Sequence, residues 1–296
     1  MRIPNPVLVL ATCLLGTSAD AQTAALTVLP ARPEAGAIVR LTLRPAAPTE
    51  SVTAIGGMMA GEPLHFRRGS DGMWHAIGAV PVDAGRRVVA SAFIHREARV
   101  DTLTLTVPVP PPPPARTEPL KVDTGFTQKP DSALEARIAR ENERARDVGR
   151  RAHETPPLWT AAFMRPRTSR LTSTFGRGRV FNGAVTTRHL GVDFAGAVGE
   201  PIRAANRGVV ALVDTFFLAG HVVYIDHGGG LVTGYFHMSK QLVAEGDTVS
   251  RGQIIGLVGA TGRVTGPHLH WTARYGTVTV NALDLLPLRV SWFGKR

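Results

Sequence analysis

Six of the seven residues from Pro108 to Pro114 are proline. Proline lacks a backbone N–H and fixes φ, so neither a helix interior nor a central strand can run through such a stretch. It reads as a stiff polyproline II spacer. The 296-residue chain must therefore organise itself as separate parts on either side of it. Before the spacer, residues 22–107 read as an all-β domain. Leu26–Leu29, Val39–Leu43, Val88–Phe93 and Thr102–Val107 are short, partly alternating runs punctuated by Gly and Pro, the pattern of a sandwich. The segment around Trp74 is expected to place that ring in the core.

The spacer is assigned to 108–130. Pro130, Asp131 and Ser132 then look like a helix start, and a charged helix is expected over 131–151. Leu134, Ile138, Ala145 and Val148 form an apolar stripe interrupted by Glu141, which asks for a packing partner. Residues 158–296 return to strand, Gly turn, strand, as in Gly208–Val213, His221–Ile225 and Gln253–Val258. The fold class expected is all-β with a connecting helix: an N-terminal sandwich and a C-terminal, mostly antiparallel β domain.

Residues 1–21 have the shape of a secretory signal. Arg2 is basic, Val7–Leu15 is apolar, and Ala19-Asp20-Ala21 is a small-x-small cleavage site. The apolar run is too short to span a bilayer, so an exported protein with no stable membrane span is expected, most simply in a periplasm. Lipidation at Cys13 would leave too little apolar sequence before the cut. Cys13 is the only cysteine, so removing the signal excludes disulfides, thiol catalysis and thiolate metal sites. The formal net charge is +11, with most of the excess after Ala152. An exported basic domain is drawn to polyanions such as cell-wall polymers. Nucleic acid is disfavoured, because only 6% of residues are aromatic and few rings are available to stack on bases.

Two motifs in the last domain can carry chemistry. In His189-Leu190-Gly191-Val192-Asp193 the His and Asp are four apart, which puts them on one face of a strand with Leu190, Val192 and Phe194 facing a core. His268-Leu269-His270 repeats this at spacing two, and His237 stands alone after the run Val232–Phe236. Two His and one Asp match a catalytic zinc site with one open position, leaving two His for proton work. Ordinary surface histidines are the alternative, and six of the chain's ten histidines lie outside this set.

Here the sequence resembles the lysostaphin-type (LytM-like) peptidoglycan metalloendopeptidases. The resemblance rests on Arg188–Phe194, Ile225–Gly230, Tyr235–Ser239, Gly246–Val249 and Gly259–Trp271, in matching order and spacing. It covers about Leu171 to Leu286. Met238 stands where Leu is usual, a change conservative in volume. Glu62–Pro81 is similar to the immunoglobulin-like domain found ahead of some members. The resemblance implies Zn2+ as cofactor, with His189, Asp193 and His270 as ligands. It implies His268 as general base and His237 as the group polarising or stabilising the oxyanion. The implied substrate is peptidoglycan, cut in its peptide crosslinks; a D-alanyl crosslink to a diamino acid is one form. Asn182 and Arg188 flank the ligands and suit either substrate contact or structural hydrogen bonding. His221 and His227 read as structural. The rival reading is a non-catalytic peptidoglycan-binding or amidase-activating module on the same fold. A zinc protease for soluble proteins would be expected to carry a helical H-E-x-x-H motif, which this sequence lacks.

Overall fold

The computed structural model describes residues 24–46, 52–97, 99–112 and 117–288. The signal assigned to 1–21 and part of the proline run lie outside them. The N-terminal part is two four-stranded antiparallel sheets. One contains, in spatial order, Ala25–Leu29, Ile38–Arg44, Trp74–Ala79 and Arg67–Arg68; the other contains Glu62–Pro63, Val52–Met59, Arg87–Arg96 and Val100–Pro108. The period of two decides which side chains go inside. Val39, Leu41 and Leu43 are buried while Arg40, Thr42 and Arg44 are not. They meet Met59, Ala90, Ala92, Ile94 and Val107 in one core. Trp74 packs at the margin of that core, half-buried.

The C-terminal part is built on a ten-stranded antiparallel sheet. Its central path runs Leu171–Ser173, Val192–Ala195, His268–Tyr275, Leu231–Gln241, Gly220–Gly228, Gly208–Phe216 and Thr248–Val249. Phe194, Ile225, Tyr235, Trp271 and Tyr275 fill its core. His227 is buried here as expected of a structural residue. Its Nδ1 donates to Arg207 O (2.8 Å), and its Nε2 lies 2.8 Å from Thr233 Oγ1, which is in turn bonded to the Tyr235 hydroxyl. Every polar atom of the ring is thus satisfied, as burial requires.

The helix spans Ser132–Arg151, and Asp131 caps it by accepting from Leu134 N at 2.8 Å. Its stripe finds its partner on the sheet. Ala145, Val148 and the following Ala152 pack on Leu212, Phe216, Val222, Tyr224 and Val232. Glu141, which breaks the stripe, accepts from Phe217 N at 2.8 Å and pairs with Arg137 at 2.7 Å. It anchors the turn between two sheet strands. Gly149 cannot carry a side chain, because a Cβ there would lie 1.9 Å from Gly276 O.

Within 108–130, read from the sequence as a spacer, Thr117–Leu120 is a strand. It pairs in parallel with Gly178–Phe181, which pairs in turn with Val185–Arg188. A parallel partner distant in sequence leaves no local pattern, and Pro119 argues against a strand on composition alone. The two β parts also touch directly. His153 is 2.9 Å from Glu62, and the Tyr275 hydroxyl donates to Pro63 O at 2.6 Å. Among the described residues no helix is long and apolar enough to cross a membrane.

Two outcomes follow from this packing. Val148→Asp puts an unpaired carboxylate under the helix and is expected to lower stability by at least ~2 kcal/mol, read as a lower urea midpoint. The second concerns pH. Burial pushes His227 down to about 4, its bond to Arg207 O only partly offsetting this. The unfolded chain, with His near 6.5, then binds a proton that the folded chain refuses. This stability is full above pH 6.5 and is lost as pH falls from 6.5 towards 4, by up to about 1.4 kcal/mol per pH unit. Urea midpoints measured across that window should fall less steeply in His227→Asn than in the parent; parallel slopes would remove His227 from the account.

Candidate metal and catalytic site

The strand Val192–Ala195 runs antiparallel to His268–Tyr275 with Asp193 directly opposite His270 and Ala195 opposite His268. Alternation sends Val192, Phe194, Leu269 and Trp271 into the core, all fully buried, and leaves Asp193, His268 and His270 on the other face. His189 arrives differently. The strand begins only at Val192, so the reading of 189–193 as continuous strand is corrected: Leu190 is 40% exposed and is not a core residue. His189 is held by backbone instead. Its N–H donates to Arg177 O at 2.7 Å, and its carbonyl accepts from Gly176 N at 2.8 Å. The intervening Gly191 is required, since a Cβ there would lie 2.6 Å from His270 Cε1.

His189, Asp193 and His270 close into a group able to hold a metal ion. His189 Nε2 lies 3.0 Å from Asp193 Oδ1 and 2.9 Å from His270 Nδ1, and His270 Nδ1 lies 2.8 Å from the same Oδ1. The donor set can be tested by proton counting. His189 Nδ1 faces the carbonyl of Thr174 at 2.9 Å, so it carries the ring proton and Nε2 carries a lone pair. A carboxylate is acceptor-only. The His189–Asp193 contact is therefore lone pair against lone pair, whichever way His270 is protonated. A cation between the three atoms relieves it, and His2Asp is a donor set that zinc accepts.

Electrostatics favours the same protonation states. Burial by itself would raise the Asp193 carboxyl. The His189 and His270 rings beside it more than offset this and hold it far below the ordinary carboxylate range. Burial pushes His270 down to about 4 despite its contact with Asp193. Neutral imidazoles and an ionised carboxylate are the forms that ligate metal.

The other two histidines border the trio. His268 Nδ1 donates to Gly266 O at 2.8 Å, leaving a lone pair on Nε2, which sits 3.7 Å from Asp193 Oδ1. His237 lies inside the strand Leu231–Gln241 rather than after it, at φ +61 where the register with Gly220–Gly228 shifts. A left-handed non-Gly residue costs of order ~1 kcal/mol or more and marks a side chain that the backbone is bent to aim. Its Nδ1 donates to Thr261 O at 2.7 Å, and its ring centroid is 5.0 Å from that of His268 and 5.8 Å from that of His270. Burial, then repulsion from His268 and His270, puts it well below the usual imidazole range.

Arg179 is a site residue the sequence reading did not single out. It forms an ion pair with Asp193 Oδ2, so each carboxylate oxygen has its own partner, and the charge of the ligand is steadied from behind. Nothing local in the sequence separates it from the neighbouring arginines. The two flanking residues take structural roles. Asn182 bonds Val122 N and O at 3.0 and 2.9 Å, and Arg188 donates to Val82 O at 3.0 Å.

The model of peptidase family M23 matches residues 187–282, which span every residue of this site except Arg179. A solved structure assigned to peptidase M23 from Pseudomonas aeruginosa superposes with TM-score 0.65 at 25% identity, covering 86% of this chain and 95% of that one. Peptidoglycan DD-endopeptidase ShyA of Vibrio cholerae is 48% identical over 95 residues, 32% of this chain and 22% of that protein. DD-carboxypeptidase/endopeptidase Mpg of Neisseria meningitidis is 42% identical over 97 residues, 33% of this chain and 22% of that protein. Residues 187–282 thus form a peptidase M23 domain. The matched stretch spans only about a fifth of the length of these curated relatives.

The geometry makes Gly191 a sensitive position. Gly191→Ala is expected to displace the His270 ring and weaken divalent-cation binding ~10–100-fold without unfolding the chain. Competition with a chromophoric chelator, with circular dichroism alongside, measures both.

Proposed function

We propose that this chain is a zinc-dependent endopeptidase that hydrolyses amide bonds in the peptide crosslinks of peptidoglycan, exported and working in the periplasm. The observation that carries the reading is the close triangle of His189 Nε2, Asp193 Oδ1 and His270 Nδ1, with two further imidazoles at its edge. The peptidoglycan endopeptidases among its relatives support the substrate class, and the segment 1–21 supports export.

His189 Nε2, Asp193 Oδ1 and His270 Nδ1 would hold the zinc. When bound, it supplies Lewis acidity towards a carbonyl and lowers the pKa of water from 15.7 to about 7. The rest is done by side chains. His268 presents the Nε2 lone pair at the mouth of the site and takes the proton of the attacking water. Gly266 O keeps it in the tautomer that can do so. His237 is likewise held with its proton on Nδ1. Its Nε2 can donate to a developing oxyanion only once it has gained a proton. It therefore enters as a stabiliser late in the step, after proton transfer has begun. Arg179 keeps Asp193 ionised and oriented throughout.

The non-catalytic alternative is tested with the same protein. Purified full chain loaded with zinc should release soluble muropeptides from isolated sacculi, with products weighed by mass spectrometry. His270→Ala should lose both stoichiometric metal and turnover. His268→Ala and His237→Ala should keep the metal and lose ~10²–10⁴-fold in rate. Tight binding to sacculi without release of any peptide product would establish the binding-module reading instead.

A further inference from the structure

Beside the metal site runs a groove of about 310 Å3 whose lining includes Asp193 and His268. Its charged lining is unbalanced. Arg170, Arg179 and Arg263 face Glu118 and Asp193. Arg179 is committed to Asp193. Glu118 comes from the linker strand and forms no ion pair among the described residues; its Oε2 is buried without a hydrogen-bond partner. Like the exposed Arg170, Arg263 is therefore left without a paired carboxylate. Its guanidinium Cζ lies over the Phe181 ring, 4.2 Å from the centroid, and among the described residues its side chain has no carboxylate or hydrogen-bond partner. It is half-buried, and burial, then repulsion from Arg179, pushes it below the ordinary arginine range.

A guanidinium stays protonated even there, so the groove holds a partly desolvated cation facing a second one. That costs free energy in the free protein, and an anion seated between them recovers it. Seated over the Phe181 ring, the guanidinium keeps N–H groups without a protein partner, and its fork suits a bidentate carboxylate. Phe181 and Arg179 share one face of the strand Gly178–Phe181, being two apart, so one short strand supplies both the platform and the second charge. Arg263 belongs to the same loop whose carbonyls at Thr261 and Gly266 anchor the two proton-handling histidines.

We propose that Arg263, backed by Arg179, forms a subsite for a free carboxylate on a residue flanking the scissile amide, so that the protein selects crosslinked peptides carrying an acid at that position over those carrying a carboxamide. This rests on the peptidase reading for the identity of the peptide but not for the binding event. The test uses the zinc-loaded full chain. The probes are a crosslinked stem-peptide dimer made resistant to cleavage by N-methylation of the scissile amide, and the same dimer with the flanking carboxylates converted to carboxamides. Calorimetric titration should show the acid form binding at least ~10-fold tighter. Arg263→Gln should lose that preference by weakening the acid form alone, and Arg263→Lys, which keeps the charge without the fork, should fall between. Equal affinity for the two forms in the parent protein, no binding of either, or equal weakening of both in Arg263→Gln overturns the subsite. Cleavage of the ordinary, unmethylated dimer is followed in parallel. Acid-selective binding without cleavage keeps the subsite and removes the peptidase reading, whereas cleavage without acid preference does the reverse.

Discussion

His189 Nε2 and Asp193 Oδ1 present lone pairs to each other across 3.0 Å, and much of the C-terminal domain is arranged to keep them there. Left alone, two acceptors at this distance repel, and a rotamer change would separate them. The fold opposes that exit. Thr174 O pins the ring proton of His189 on the far nitrogen. Antiparallel register locks Asp193 beside His270, and Arg179 holds the second carboxylate oxygen. Beneath them Phe194, Leu269 and Trp271 are fully buried, so the strand carrying the ligands cannot shift without opening the core. Folding free energy from the core is what keeps the unfavourable contact in place, and a divalent cation returns part of it on binding.

The surroundings of that triangle do not come from the M23-matched segment alone. One wall of the groove includes Glu118 and Leu120 of the linker strand. On the other side, a cavity of about 180 Å3 next to His270 is lined by Ile138, Glu141 and Asn142 of the helix together with Leu190 and Phe236. The helix thus does two things with one face. Its C-terminal half buries Ala145 and Val148 on the sheet, which stabilises. Ile138, Glu141 and Asn142, from its middle, line the cavity next to His270. Exposed Leu190 makes sense in this setting, as an apolar rim of a cavity rather than a misplaced core residue.

Much of the site was legible in the sequence because strand alternation is a local rule. Asp193, His268 and His270 share a face for the reason the spacing suggests, and Val192, Phe194 and Leu269 are buried for the same reason. The rule fails where backbone leaves regular geometry. His189 sits on a bend, so its orientation comes from Arg177, Gly176 and Thr174, which no periodicity connects to it. His237 sits at a positive φ inside a strand, where the pattern predicted the strand's end. The strand Thr117–Leu120 was missed because its partner is a parallel strand some sixty residues away, and Arg179 because nothing local marks out its ion pair with Asp193. Glu141 looked like a flaw in an apolar stripe, and its purpose, receiving the backbone N–H of Phe217, is likewise a long-range fact.

The loop from Gly259 to Pro267 ties these pieces into one chemical unit. Thr261 O and Gly266 O both accept from an Nδ1–H, so a single loop sets the tautomers of His237 and His268 together. With both rings neutral, the site has two lone pairs at Nε2 and no imidazole N–H to offer an oxyanion. A proton entering from water changes this, because whichever ring receives it becomes a donor while keeping its loop anchor. The two rings are too close, at 5.0 Å between centroids, to be charged together in a buried setting at modest cost. In the proposed mechanism, one proton would be shared between the two fixed imidazoles: taken up at one ring, available as a donor at either, and passed to the leaving amine. Thr261 also fastens the loop to the sheet, its hydroxyl donating to Met238 O at 2.9 Å and accepting from His221 N at 3.0 Å. The positions of the proton carriers are in this way set by the same sheet that sets the ligands.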